Sequence, residues 1–443
     1  MYLADGRPAP ATSASPSGRR TGRGRRVRAA VPSTVLVLGT VSLITDISSE
    51  MVTAVLPLYL VAELGLSPLG FGVLDGVYNG VSALVRLVGG RLSDRGGGSG
   101  HKTVAAVGYG LSALCKPLLL LVHSLPLIGA VLAVDRTGKG LRTAPRDAMI
   151  SLAAEPAARG RAFGVHRAMD TAGALCGPLV AFVLLRAAAE GYDAVFTVSF
   201  CVAVLGVVVL LLFVPGRARP AADTAGRSSA GPRTPAAPRT PVRALLGRPE
   251  IRRLTGCAVL LGLTTVSDSF LYLTLQRRLD LPAGWFPLLP LGTAAAFLSL
   301  AVPMGAIADR IGRRRLFLAG HLVLLCAYGL LLAPFGGGTA LVCAVLLLHG
   351  AFYAATDGVL AAATADAVPE DARGSGLAVV QTGQTAARFV CSLAFGAAWT
   401  AGGDHAAVLA AAVGLALAAA LSARLLRPAG PSAGPNSPSE HTP

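Results

Sequence analysis

DRTGKGLRTAPRD, residues 135–147, sets six ionisable side chains into thirteen positions directly after the apolar run 125–134. Its reading decides the fold: as a loop, a nucleotide-binding turn or a charged helix face inside a membrane, it gives a different number of crossings each time. The ten apolar residues before it fall short of the roughly 20 that a bilayer requires. The second half of the chain settles the choice. GGRLSDR (89–95) recurs as MGAIADR (304–310), with Asp94 matching Asp309 at an offset of 215. AARG ending at Gly160 recurs as DARG ending at Gly374, at an offset of 214. Two matches at nearly one spacing mark an internal repeat. In that repeat the partner of the charged stretch is 341–364, a nearly uninterrupted apolar span. Losing one crossing would put the two Asp-Arg loops on opposite sides, so the stretch is expected to be helical. On a helix Asp135, Lys139, Arg142 and Arg146 form one stripe, and Arg136, Gly140, Thr143 and Asp147 form a second about 100° round. Charges at membrane depth persist only where they face a bundle interior or a water cavity and pair with one another.

The composition agrees with a membrane setting. Of 443 residues, 53% are hydrophobic and 14% charged, and the mean hydropathy of +0.62 is too apolar for an ordinary soluble domain. Twelve spans are expected, near 34–62, 69–91, 103–123, 125–150, 163–188, 193–214, 252–276, 286–308, 316–334, 339–364, 376–400 and 405–425. The formal charge of +16 does not point to nucleic acid. Residues 1–32 hold seven Arg and one Asp, and 215–253 hold nine Arg and two acids, so thirteen of the net charges flank apolar segments. Basic excess in such places marks the cytoplasmic side, and every second connection is basic, which places both termini in the cytoplasm of a multi-pass plasma-membrane protein. The seven cysteines lie in or beside apolar runs without a C-x-x-C or a neighbouring His pair, so no disulfide framework, metal site or cofactor is expected. The expected fold class is an all-α membrane protein with twelve helices in two pseudo-symmetric six-helix bundles. Its expected organisation is a disordered basic tail (1–32), a first bundle (33–214), a Pro- and Arg-rich cytoplasmic linker (215–250), a second bundle (251–426) and a disordered tail (427–443).

Further polar residues interrupt the other spans. The first carries TDISSE, with Asp46, Ser49, Glu50 and Thr53 on one face, and the second carries Asp75, Asn79, Ser82 and Arg86. Lys116 lies in the third, Asp268 and Tyr272 in the seventh, His349, Tyr353 and Asp357 in the tenth, and Gln381, Gln384 and Arg388 in the eleventh. Only three Lys stand against 36 Arg, yet Lys116 and Lys139 both fall inside spans. A compact ammonium that can lose its proton is the property that distinguishes Lys from Arg there. Asp268 and Gln384 fit a helix-tying role equally well, and His349 alone reads better as a packing donor. Asp46 with Glu50, and Arg136 with Lys139 and Arg142, converge too closely at mid-depth for that account.

The loop signature Gly90, Leu92, Asp94, Arg95, repeated as Gly305, Asp309, Arg310, Gly312 and Arg313, resembles that of the major facilitator superfamily, as does almost everything from Thr34 to Leu425. The resemblance implies that these loops brace the cytoplasmic ends of the helices as a gate. It likewise implies that Arg136 with Gly140 corresponds to an arginine associated with proton coupling. Gly164, Gly173, Gly177 and Pro178 match the spacing of the family's antiporter signature, which implies export. The G-x-x-x-x-G-K-[ST] reading of the insert before Lys102 fails, because His101 stands where glycine is required.

The function expected is secondary active transport of a small molecule, proton-coupled export by alternating access, by a monomer in a lipid bilayer. Asp46, Glu50, Arg136, Lys139, Arg142, Lys116, Asp268 and Asp357 are the expected coupling and substrate residues. Two carboxylates one turn apart in low dielectric do not both ionise easily, so Asp46 and Glu50 are expected to share a proton and to exchange partners with the cations. The central cations also fit import of a small anionic solute. An uncoupled flippase or a receptor is compatible with the same spans, whereas no G-x-S-x-G or H-E-x-x-H motif supports an enzyme.

Overall fold

The computed structural model describes residues 31–95, 97–155, 159–188, 191–215, 247–334, 338–368 and 373–426. The expected tail 427–443, the first thirty residues of the N-terminal tail and linker residues 216–246 lie outside them. All regular structure among the described residues is helical. The first half comprises α1 (Ser33–Leu58), prolonged by a π-helical turn (Tyr59–Glu63), α2 (Pro68–Arg95), α3 (Gly97–Leu121), α4 (Leu125–Ala153), α5 (Arg159–Ala187) and α6 (Gly191–Phe213). The second comprises α7 (Pro249–Gly262), α8 (Asp268–Leu279), α9 (Leu288–Ile311), α10 (Arg313–Leu332), α11 (Thr339–Thr356), α12 (Val359–Asp366) and α13 (Arg373–Leu425).

Eight helical stretches among the described residues are long and apolar enough to cross a membrane. One of these, Gly376–Leu425, contains two expected crossings, because Gly403 (φ 83°, ψ 173°) breaks the helix at the 400–405 boundary. The three expected crossings outside the eight are α2, α4 and the broken pair α7 and α8, which completes twelve. α4 falls outside because Asp135, Arg136, Lys139, Arg142, Arg146 and Asp147 interrupt its apolar run. The stretch 135–147 is nonetheless helical throughout, as the repeat required.

Two expected spans are not single helices. The seventh breaks between Gly262 and Asp268, where Ser267 is extended and precedes the first turn of α8. The tenth breaks at Asp357 and Gly358, the latter at φ +76°, so α11 hands over to a short α12. Broken helices at membrane depth are tolerated where the freed backbone lines a polar cavity. Both breaks fall at carboxylates, Asp268 and Asp357.

α1 packs on α5 and α6, α2 on α4, and α3 on α4 and α6, while α11 packs on α9 and α10, and α13 on α7 and α10. Contact between the halves runs chiefly from α2 to α13 and from α5 to α9. Hydrogen bonds tie α1 to α6 reciprocally: Ser48 Oγ donates to the Ser199 carbonyl at 2.7 Å, and Ser199 Oγ to the Ser48 carbonyl at 2.8 Å. Such pairs matter in lipid, where burying apolar area gives helices little drive to associate. The outer surface is correspondingly greasy, with Leu121, Leu212 and Val302 exposed by 73%, 72% and 81%. A soluble domain would not carry this surface, whereas hydrocarbon solvates it.

Candidate functional site

α4 places its charges against α1, α2, α3 and α5. Its close approach to α3 depends on Gly138, where a Cβ would stand 2.6 Å from the Gly108 carbonyl oxygen. Asp135 is the hub at the more buried end. Its Oδ1 accepts from Ser112 Oγ at 2.7 Å and from Lys116 Nζ at 3.1 Å. Its Oδ2 accepts from Arg136 Nη2 at 2.6 Å and from Nε at 3.0 Å. The Arg136 guanidinium also lies 3.9 Å above the centre of the Tyr78 ring on α2. All three charged side chains are nearly excluded from solvent, so the cluster is held by charge-assisted bonds among its own members.

One turn on, Lys139 Nζ lies 3.3 Å from Glu50 Oε1, and Arg142 Nη2 lies 3.3 Å from Asp46 Oδ1. Lys139 and Glu50 retain 35% and 26% of their side-chain exposure, against 4% and 12% for Arg142 and Asp46. The first pair therefore borders water and the second does not. The Arg142 guanidinium also sits 4.5 Å from the centre of the Tyr109 ring. Arg146 closes the series, bridging Asp147 at 3.2 Å, Asp170 of α5 at 3.4 Å and Ser42 of α1 at 3.3 Å. His166 Nε2 meets the same Ser42 hydroxyl at 3.0 Å.

The expected convergence of Asp46, Glu50, Lys139 and Arg142 is thus present in space, with each carboxylate holding its own cation. Arg136 and Lys116 turn instead to Asp135. Sequence reasoning put Asp135 on a stripe without making it a site residue, and it passed over Asp170 altogether. The scarcity of Lys pointed toward Lys116, and a search for its carboxylate among neighbouring spans would have reached Asp135.

The second half builds a different arrangement. Asp268, at the first turn of α8, accepts from Tyr353 OH at 2.6 Å. His349 Nε2 stands 3.3 Å from the same oxygen, out of line for a full hydrogen bond. Tyr353, Thr356, Asp357, Gln381, Gln384 and Arg388 line a cavity of about 110 Å³. A smaller cavity of about 30 Å³, room for one water, lies between the halves against Thr53, Asp75, Tyr78 and Ser269.

The halves meet closely at one end. Ser392 Oγ on α13 donates to Asp75 Oδ2 on α2 at 2.6 Å, and Thr400 Oγ1 accepts from the Leu69 backbone N–H at 3.1 Å. The ring of Phe270 meets Phe71 edge-on at 4.9 Å and Phe395 at a tilt at 4.8 Å, and the three plug the same end. Arg186 lies over Trp285 at 5.6 Å.

Of the antiporter-type residues, Gly173 touches the α1 backbone at Leu43, and a Cβ on Gly177 would stand 2.9 Å from the Ile47 carbonyl oxygen. Gly164 has open space beside it, and Pro178 sits within an unbroken α5. Of the loop residues, Gly312 (φ +94°) turns the chain between α9 and α10, and Arg313 binds the Asp366 carboxylate and the Ala362 carbonyl on α12. Gly305 has free space around it, and Asp309 and Arg310 are exposed. Gly90, Asp94 and Arg95 fall at the end of α2, and their side chains lie outside the described ones.

A family model described as Major Facilitator Superfamily matches residues 38–302 and 284–443. An uncharacterized MFS-type transporter of Methanocaldococcus jannaschii is 27% identical over 371 residues, 82% of this chain and 88% of the relative. An uncharacterized protein of Mycobacterium tuberculosis is 35% identical over 158 residues, 36% of this chain and 38% of its own. Among solved structures, the nucleoside transporter NupG superposes with a TM-score of 0.71 at 12% identity, covering 89% of this chain and 100% of its own. A bacterial homolog of the human lysosomal transporter Spinster, inward-facing and unoccupied, superposes with a TM-score of 0.69 at 14% identity, covering 89% and 97%.

Proposed function

Because the chain belongs to the major facilitator superfamily and is a multi-pass membrane transporter of that type, we propose that it exports a small molecule in exchange for protons. In this reading a monomer sits in the plasma membrane with both termini cytoplasmic, its bundles spanning 33–214 and 251–426, and rocks about a central site.

The observation that carries the reading is the pair Asp46–Arg142, buried between α1 and α4 beside the water-bordering pair Glu50–Lys139. An ion pair at this depth is costly to open, since either partner alone is an uncompensated charge. A proton delivered to Asp46 removes the carboxylate charge and frees Arg142. Glu50 and Lys139, nearer water, form the entry for that proton. Asp135 keeps Lys116 and Arg136 fixed throughout and acts as the anchor of α4. The glycine contacts of α5 on α1 at Gly173 and Gly177 support the export direction through the antiporter-type spacing. In this reading the end holding Phe71, Phe270 and Ser392 is the outer one, and it is closed.

Reconstitution in liposomes with an imposed pH gradient tests the proposal, using compounds selected by export profiling of an overexpressing strain. Gradient-driven flux out of the compartment equivalent to the cytoplasm is expected, with loss of flux in Asp46→Asn. Flux indifferent to the pH gradient overturns coupling. Flux in the opposite sense favours the second reading, import of a small anionic solute, to which the lack of a close ion-pair partner for Arg388 among the described residues lends support.

A further inference from the structure

We infer that the cavity at Arg388 is a subsite for an anionic group, a carboxylate or phosphate, carried by the transported molecule. The inference rests on the transporter reading only in calling that molecule transported; the anion chemistry stands on the cavity itself.

The cations inside the two bundles are committed differently. Lys116, Arg136, Lys139, Arg142 and Arg146 each hold a carboxylate. Arg388 does not: among the described residues no carboxylate oxygen comes within ion-pairing distance of its guanidinium, and its buried Nε has no hydrogen-bond acceptor. Its nearest aromatic neighbour is the Tyr353 ring, 6.0 Å from the guanidinium carbon. Tyr353 in turn is fixed by donating its hydroxyl to Asp268. A guanidinium beside a ring with its Nε donor unfilled presents one edge of a planar fork, the geometry that carboxylates and phosphates fit.

The remaining walls are consistent with such a guest. Thr356 and Thr364 spend their hydroxyls on the carbonyls one turn back, at Phe352 and Leu360. The amides of Gln381 and Gln384 line the cavity beside Arg388 without a side-chain hydrogen bond among the described residues, so their N–H groups can donate to an oxyanion. The volume of about 110 Å³ holds a few waters or one small anionic group. It is smaller than the roughly 300 Å³ at which whole-ligand pockets begin, so it is a subsite. Asp357 stands exposed in the wall at the break between α11 and α12 and opposes Arg388 in sign. It therefore weakens anion binding and marks where a neighbouring cationic group of the same molecule would lie.

Titration of the purified full chain in neutral-detergent micelles at constant ionic strength tests the subsite, with inorganic phosphate as the probe and methylammonium as the cation control. Thermal unfolding and calorimetry read binding. Wild type is expected to bind phosphate, Arg388→Gln to lose affinity at least tenfold, Arg388→Lys to fall between them, and Asp357→Asn to bind several-fold more tightly. Equal phosphate affinity in wild type and Arg388→Gln overturns the inference, as does the absence of phosphate binding in wild type. Should Arg388→Gln fail to fold, Asp357→Asn decides: unchanged or weaker phosphate binding overturns the subsite. Repeating the titration with phosphatidylglycerol in the micelles separates two sources of the same chemistry, since displacement of phosphate identifies a lipid headgroup as the occupant. Binding is read here without transport, so its failure leaves the liposome flux experiment to judge the transporter reading on its own.

Discussion

Arg142 on α4 holds Asp46 on α1 at 3.3 Å, while one turn away on the same two helices Lys139 holds Glu50 at the same distance with several times the exposure. Geometry is matched and solvation is not, and this difference assigns the two pairs different energies. Water screens the outer pair, so it contributes on the order of 1 kcal/mol or less. Removing one partner of the inner pair strands a buried charge, at about 3–5 kcal/mol.

Arg142→Met is therefore expected to lower the thermal unfolding temperature of the purified protein clearly, and Lys139→Met to shift it little. Adding Asp46→Asn to Arg142→Met should recover much of the loss, because the stranded carboxylate becomes neutral, while leaving proton-driven flux absent. Comparable destabilisation by the two single variants would contradict the solvation argument.

Asp135 carries a heavier structural role than either pair, because it satisfies Lys116, Arg136 and Ser112 together. Asp135→Asn leaves two buried cations without a carboxylate and is expected to cost at least as much as the loss of the inner pair. Folded yield in detergent should fall sharply, and Asp135→Asn with Lys116→Met should restore part of it. A wild-type yield and unfolding temperature for Asp135→Asn alone would remove the anchor role.

How much of this was legible in the sequence follows from what each pattern encodes. The offset between Asp94 and Asp309 fixed the repeat, and the repeat forced 135–147 into a helix against its own hydropathy. Periodicity also put Lys139 and Arg142 on one stripe of α4 and Asp46 and Glu50 on one face of α1. Partner choice was not legible, because it depends on how helices distant in sequence rotate against one another. Asp135 is next to Arg136 in the chain and meets Lys116 nineteen positions away, while Arg146 finds Asp170 twenty-four positions on. Helix breaks at Asp268 and Asp357 were hidden for another reason: the runs around them are apolar enough to read as continuous spans, and only Gly358 carries a local turn signal.

Close packing of α5 on α1 gives a test of a different kind. A Cβ at Gly177 would lie 2.8 Å from the Glu50 Cβ and 2.9 Å from the Met51 backbone nitrogen, whereas one at Gly164 would meet open space. Gly177→Val is expected to destabilise by about 1–3 kcal/mol or more through overpacking, and Gly164→Ala to be nearly neutral. Thermal unfolding of both variants checks the contrast. Equal tolerance at the two sites would separate the antiporter-type spacing from helix packing.

The contact between α2 and α13 is the last relationship that predicts behaviour. Leu69 donates its backbone N–H to Thr400 at 3.1 Å, beside the Asp75–Ser392 bond and the Phe71–Phe270–Phe395 stack. If the halves must part at this end during each cycle, a covalent bond here stops the cycle without disturbing the fold. Leu69→Cys with Thr400→Cys, made in a background in which the seven native cysteines are replaced, should cross-link under mild oxidation. Flux in liposomes should then fall to background and return on reduction, while the unfolding temperature stays at or above that of the reduced protein. Undiminished flux in a fully cross-linked sample would mean that this end does not open, and rocking of two halves about a central site would then fail as the mode of transport.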